Sequence, residues 1–424
     1  MSGGLIHDWN REQAPPRVEL NDETLRDGLQ SPSVTEPSAE QKLQLLHLMA
    51  GLGVSAVTVG YPAAGPRMQA QCRLLAGEIA RARLPLSPNA SARTTESDVA
   101  AIARLAQEIG VPIEAGIFIG ASRIRRETQG WSVDDILRMA ERAIGLAVRE
   151  GLPVMFVLED ASRTDPETLR VVYGEAIRLG ARRLCLADTT GYATPAGTER
   201  LVRFVKDEIV TPGGDSPRRT RRDTEDCLSE RETVALDWHG HRDRGLAVAN
   251  CLAAINAGAD RIHATALGAG ERAGNAEMEL VLANLYLMGL HCGDLTRLGD
   301  YCRFASQALG LQILPNHPVV GSDAFRTASG THVAAILKAR ERGEAELADL
   351  AYSSLPAAVF GLEQRFALSA MSGHAGVRHW LAEHGHDPHD ETLVETVLKA
   401  AKESPRALDD AEAERVVAGA APGA

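Results

Sequence analysis

Ala-Leu-Asp-Trp-His-Gly-His (235–241) reads as a short strand ending in two histidines one residue apart. In a strand, residues i and i+2 point to the same side. His239 and His241 therefore aim two imidazoles at one point, and Gly240 leaves the opposite side uncrowded. Two convergent neutral imidazoles are half of a divalent-metal site. Taken alone, such a pair is more often ordinary polar residues at a strand end. The rest of the chain has to supply a carboxylate and a substrate.

Seven further β-rich runs surround this one. With it they are Arg17–Asn21, Ala56–Gly60, Leu86–Ala90, Ile113–Ile119, Val154–Leu158, Arg183–Ala187, Val234–Trp238 and Arg261–Ala266. Amphipathic helical stretches lie between them: Ala39–Leu52, Ser97–Ile109, Val133–Glu150, Pro166–Leu179, Pro195–Val210 and Leu246–Ala257. Eight strands, each followed by a helix, predict an α/β fold of the (β/α)8 TIM-barrel type, whose usual size is about 250 residues. The runs read as apolar on both faces, as buried parallel strands should. A doubly wound open sheet is the rival architecture. The count of eight and the chemistry at strand C-terminal ends favour the barrel.

The barrel is expected over residues 1–297. A mainly helical C-terminal subdomain follows over 298–408, with a flexible tail over 409–424. Thr211–Arg231, rich in Pro, Gly and mixed charge, is expected as an exposed loop; its Arg cluster 218–222 reads as solvated. The chain has 424 residues and a net charge of −12, which argues against a nucleic-acid partner. Its six cysteines form no Cys-x-x-Cys pair, which fits reduced thiols. No run approaches the roughly 18 apolar residues of a membrane helix, so no membrane partner and a cytoplasmic location are expected.

Asp22-Glu-Thr-Leu-Arg26-Asp27-Gly28 follows the first strand, at the mouth where barrels keep their active sites. It offers a carboxylate to join the histidines, with an Arg beside it. A metal held by two imidazoles and one carboxylate keeps open positions for a chelating 2-oxo acid. The Arg can stabilise charge developing on a keto oxygen. The alternative is an acidic helix N-cap.

These segments resemble the signatures of the HMG-CoA lyase/isopropylmalate synthase superfamily of metal-dependent barrels. Asp-Glu-Thr-Leu-Arg-Asp-Gly-Leu-Gln (22–30), His-Gly-His-Arg-Asp-Arg-Gly-Leu-Ala-Val-Ala-Asn (239–250) and Gly-Ala-Gly-Glu-Arg-Ala-Gly-Asn-Ala (268–276) fall in family order. So do Glu-Asp-Ala-Ser-Arg-Thr-Asp (159–165), Asp-Thr-Thr-Gly-Tyr-Ala-Thr-Pro (188–195) and a synthase-like segment over 318–332. The resemblance implies Asp27, His239, His241 and Asn275 as ligands of a divalent metal (Mg2+, Mn2+ or Zn2+). It implies Arg26 as the residue that polarises the keto group and Glu159 as an acid near the reacting centre. Thr189 is implied as a binder of the oxo-acid carboxylate. His332 is implied to reach the site from the partner subunit and help deprotonate the acyl-CoA methyl, making the working unit a homodimer. The implied activity is Claisen-type condensation of acetyl-CoA with a 2-oxo acid, followed by thioester hydrolysis.

The acceptor stays open. Arg126 falls where homocitrate synthases bind the distal carboxylate of 2-oxoglutarate, and Arg93 is a weaker candidate. The segment around Asn275 is closer to isopropylmalate synthase, which favours 2-oxoisovalerate; citramalate synthase activity is a further alternative. Gly268 and Gly270 are expected to approach the CoA end of the substrate. They also fit a loose dinucleotide pattern, but in the last βα unit rather than the first. Lyases of the superfamily carry a catalytic Cys that 267–272 lacks. A repurposed, non-catalytic barrel is the third class, and retention of all four metal-ligand types argues against it. Arg242 and Arg244 stand where relatives carry Asn and a small or apolar residue. Pairing with Asp243 or Asp237 is the bland expectation for them, and contact with a second acidic group of the substrate the sharper one. The region after His332 is too short for a leucine-sensing regulatory domain.

Overall fold

The eight expected strands close on themselves in a computed structural model that describes residues 5–7, 17–211, 234–291 and 293–420. They are β1 (Glu19–Asp22), β2 (Ala56–Thr58), β3 (Ser87–Arg93), β4 (Glu114–Gly120), β5 (Val154–Glu159), β6 (Arg183–Asp188), β7 (Ala235–Gly240) and β8 (Arg261–Ala264). Each pairs in parallel with the next, and β1 pairs with β8, so the sheet has no edge. The fold is a (β/α)8 barrel with a helical C-terminal region. The register sets Ala187 beside His239, His239 beside His263 and His263 beside Asn21.

Local chemistry starts and stops the outer helices. Ser38 and Gln41 form a capping box at helix 39–51, and Ser132 and Asp135 form another at 133–149. Helix 166–179 opens with Asp165 as cap and Pro166 in its first turn, and closes on left-handed Gly180. The expected helix over 195–210 is α-helical to Val205 and continues as one π turn. Among the described residues, no helix is long and apolar enough to cross a membrane.

The barrel lumen corrects one expectation. The strand runs are not apolar on both faces. Arg261 on β8 reaches Glu114 on β4 at 2.7 Å, and Arg183 on β6 reaches Glu19 on β1 at 3.1 Å. Strands that are not neighbours can meet only through the lumen, so these charges fill it. Asp237 joins them, accepting from Arg183 and Arg261, each at 2.7 Å. Buried charges persist where each is paired and hydrogen-bonded. Here every guanidinium faces at least two carboxylates.

The chain divides into two compact units, and the division falls elsewhere than at 297/298. Among the described residues, one unit holds 17–211, 234–291, 293 and 300–312, and the other holds 5–7, 294–299 and 313–420. Residues 300–312 stay with the barrel because Tyr301 is buried there and donates to Asp22 at 2.6 Å. In the second unit, helices 374–383, 391–403 and 410–420 pack around Val377, Trp380, Leu381, Val394 and Val397. Residues 410–420, expected to fray, form a helix instead. Ala413 and Val417 lie four apart on one face and are buried in that core. Residues 212–231 of the expected loop, with its Arg cluster, and 421–424 of the tail lie outside the described residues.

Candidate active site

Three strand ends deliver one cluster of four side chains. His239 closes β7, and His241 follows it and bridges to Asn275, which lies beyond β8. Asp27 follows β1. All four side chains are buried. The Nε2 atoms of His239 and His241 face each other at 3.4 Å, and Asp27 Oδ2 lies 3.5 Å from one and 3.8 Å from the other. Asn275 donates its amide to Asp27 Oδ1 at 2.9 Å and to the Ala269 carbonyl at 3.2 Å. Its Oδ1 is buried without a hydrogen-bond partner among the described residues. Two facing imidazole nitrogens, a carboxylate oxygen and an orphaned amide oxygen offer four ligand atoms at one point. A divalent cation fits it.

Electrostatics agree with that reading. Burial pulls the His241 pKa down to about 4, with His239 adding to the effect, so its lone pair is free at neutral pH. Burial alone would raise Asp27, but the Arg26 charge and the two histidines outweigh it. Asp27 is held well below the ordinary carboxylate range.

Arg26 lies beside Asp27, with Nη1 3.2 Å from Oδ2, and forms an ion pair with Glu23. Its Nε is buried and has no partner among the described residues. Glu159 ends β5 and is about one-third exposed; burial raises its pKa despite Arg125, whose Nη2 lies 3.8 Å away. Thr189 Oγ1 accepts from the Asp160 N–H at 2.7 Å, so its own proton stays free to donate.

Other expected site residues are committed elsewhere. Arg93 makes a bidentate pair with Asp98 at 2.9 and 3.0 Å. Arg126 donates to the Ala121 carbonyl at 3.1 Å and approaches Asp165 at 3.7 Å. Its neighbour Arg125 is the cation that faces Glu159. Arg242 pairs with neither Asp243 nor Asp237: it holds Glu277 at 2.5 Å and the Ala273 carbonyl at 2.6 Å. Asp243 belongs to Arg272, and Asp237 to the lumen. Arg244 donates to the Tyr192 carbonyl at 2.8 Å. His332 lies in the C-terminal unit, where its ring stacks on Tyr352 at 3.7 Å.

Gly268 and Gly270 let their loop close on the cluster. A Cβ on Gly268 would meet Arg242 Nη1 at 2.7 Å. One on Gly270 would stand 2.1 Å from Asn275 Nδ2 and 3.0 Å from Asp27 Oδ1. Gly270→Ala should therefore push both side chains off their positions. We expect metal affinity, read by calorimetric titration, to fall about 10- to 100-fold, the usual scale for disturbing a ligand's support. Unchanged affinity would show that these side chains do not hold the ion.

One buried group that the sequence reading missed, His263, stands against the cluster, its ring 5.6 Å from that of His239. His263 Nδ1 lies 3.0 Å from Glu23 Oε1, and its Nε2 lies 2.9 Å from Asp237 Oδ2. Both ring nitrogens face carboxylates, so both carry protons. Burial opposes the charge, but the hydrogen bonds to Asp237 and Glu23 outweigh it and raise the His263 pKa. The signal was present: Arg261, His263 and Thr265 alternate and share one face.

Comparison with known proteins is consistent with this geometry. The chain is 33% identical over 392 residues to homocitrate synthase AksA of Methanopyrus kandleri, covering 92% of this chain and 88% of that one. It is 30% identical over 381 residues to 2-isopropylmalate synthase of Methylacidiphilum infernorum, covering 87% and 68%. Its fold is similar to that of an HMG-CoA lyase from Acinetobacter baumannii solved with coenzyme A and 3-methylmalate. That likeness has a TM-score of 0.55 at 20% identity and covers 70% of this chain and 92% of that one. The HMGL-like family profile matches residues 17–304. The chain belongs to the HMGL-like family, the superfamily of HMG-CoA lyases and 2-isopropylmalate synthases.

Proposed function

We propose that this protein condenses acetyl-CoA with a 2-oxo acid and hydrolyses the resulting thioester, giving a 2-alkylmalate-type product and free CoA. The observation that carries this reading is the convergence of Asp27, His239, His241 and Asn275 beside a half-buried Arg26 guanidinium. A divalent cation held there would supply Lewis-acid polarisation of the acceptor's keto group.

The chain's own groups have separate tasks. The Arg26 guanidinium stabilises negative charge developing on the keto oxygen. Thr189 donates its hydroxyl proton to the acceptor's carboxylate. His332, supplied by the partner subunit of a homodimer, helps remove a proton from the acetyl methyl. The carbon freed of that proton bonds to the keto carbon as the C=O π pair moves onto oxygen, and that oxygen then takes up a proton to become the product's hydroxyl. Water then attacks the thioester, leaving a carboxylate and the CoA thiol. Glu159, raised by burial, stands near Arg26 to hold or pass a proton.

2-Oxoisovalerate is the leading acceptor. Arg126 is turned to Ala121 and Asp165, so Arg126→Ala should change kcat/KM by less than about fivefold with any acceptor, the scale of an exposed ion pair. A selective loss with 2-oxoglutarate would instead assign Arg126 to a distal carboxylate. His332→Ala should lower turnover at least about 10²-fold, the low end of general-base contributions, and leave metal content intact. Full activity would refute its role. The reaction itself is tested by identifying products by mass after incubation with acetyl-CoA and 2-oxoisovalerate, 2-oxoglutarate or pyruvate. Acetoacetate formed from HMG-CoA, with no condensation product, would establish cleavage in its place.

A further inference from the structure

We infer that Glu23, clamped from below by His263, is a positioning residue that fixes the Arg26 guanidinium at the mouth of the barrel. The inference rests on the condensation reading for the task given to Arg26, but the arrangement is visible in the residues alone.

Glu23 is buried, and each of its oxygens faces a cation or donor, although Oε2 makes no hydrogen bond among the described residues. Oε2 pairs with Arg26 Nη2. Oε1 accepts from Asn21 Nδ2 at 3.1 Å and faces His263 Nδ1 at 3.0 Å. His263 is held in turn by Asp237, and Asp237 by Arg183 and Arg261 on the lumen floor. Asn21 donates to Thr58 at 3.1 Å and accepts from Asn89 at 2.7 Å, which ties the same carboxylate to β2 and β3. A continuous run of paired groups therefore leads from the closed lumen to Arg26.

The clamp matters because Arg26 carries two jobs on one planar group. Nη1 lies by Asp27, Nη2 by Glu23, and Nε has no partner among the described residues. A guanidinium held at both terminal nitrogens cannot turn without leaving Asp27 or Glu23, so Glu23 keeps Nη1 beside the cluster. Charge stabilisation works when the donor is already in place and needs no reorganisation. Glu23, His239 and His263 also lie close enough together to suggest a second metal site. However, both nitrogens of His263 are engaged by carboxylates, so no lone pair is left for an ion.

The test uses the full-length protein and two readouts. First, kcat, KM and metal content are measured for Glu23→Gln and Glu23→Asp. We expect Glu23→Gln to lower kcat about 10²-fold, the scale of one lost preorganised donor, with KM for acetyl-CoA within about twofold and metal content unchanged. Glu23→Asp should recover part of the loss. Wild-type kcat in Glu23→Gln, or a fall in metal content that accounts for the loss, would overturn the inference. Second, Arg26→Gly is titrated with millimolar guanidinium while its melting temperature is followed. The free cation should raise the melting temperature by refilling the clamp, and adding Glu23→Gln should abolish that rise. An equal rise with and without the Glu23 carboxylate would overturn the inference. This arm needs no turnover. If the wild type condenses no acceptor, the condensation reading fails, and the guanidinium titration still decides whether Glu23 holds Arg26.

Discussion

Asp27→Ala should abolish acetyl-CoA-dependent turnover and metal binding together. Asp27 Oδ2 is the oxygen that both histidine Nε2 atoms face, and its Oδ1 orients the Asn275 amide at 2.9 Å. One substitution therefore removes the proposed carboxylate ligand and frees the Asn275 amide to rotate. It also removes a partner of Arg26 at 3.2 Å. The lost polarisation is worth several kcal/mol in the transition state, so turnover should fall at least about 10³-fold. Elemental analysis after dialysis, with turnover on the same sample, checks both halves. A variant that keeps its metal and loses only activity would move Asp27 from ligand to substrate contact.

Asp237→Asn should be the most damaging of these substitutions for folding. Its carboxylate is buried and accepts from Arg183 and Arg261, and His263 faces it at 2.9 Å. The three cations outweigh the burial cost and hold Asp237 far below its ordinary pKa. The amide cannot neutralise them, and breaking a buried pair costs about 3–5 kcal/mol because the surviving charges stay desolvated. Urea unfolding of the barrel, compared with wild type, reads that loss directly. A shift under about 1 kcal/mol would mean that Glu114 and Glu19 carry these charges unaided.

The barrel and the Asp27–His239–His241–Asn275 cluster were legible because both follow from period-two alternation and position. His-Gly-His at a strand end fixes two side chains on one side, and Asp27 and Asn275 follow the strands that close the circle. What the sequence hid depends on pairing across space. Arg242 finds its partner Glu277 thirty-five residues away, beyond the reach of local charge pairing. The lumen charges lay inside the strand runs, but their neutralisation by residues on distant strands was invisible, so the runs read as apolar. Arg125 and Arg126 are adjacent on one short helix, about 100° apart around its axis, so only the helix's placement decides which of them faces Glu159. The last helix read as tail because its composition is that of a frayed end. Its Ala413–Val417 spacing held the better signal.

The central claim is that this cluster holds a metal at which a 2-oxo acid accepts an acetyl group. The most direct measurement is CoA-thiol release from acetyl-CoA by chelator-stripped enzyme, with and without added Mg2+, Mn2+ or Zn2+, across a panel of 2-oxo acids. The account predicts thiol release that requires both a metal and an acceptor, in a ratio of one thiol to each acceptor consumed. Release that is independent of metal, or no release with any acceptor, would contradict it.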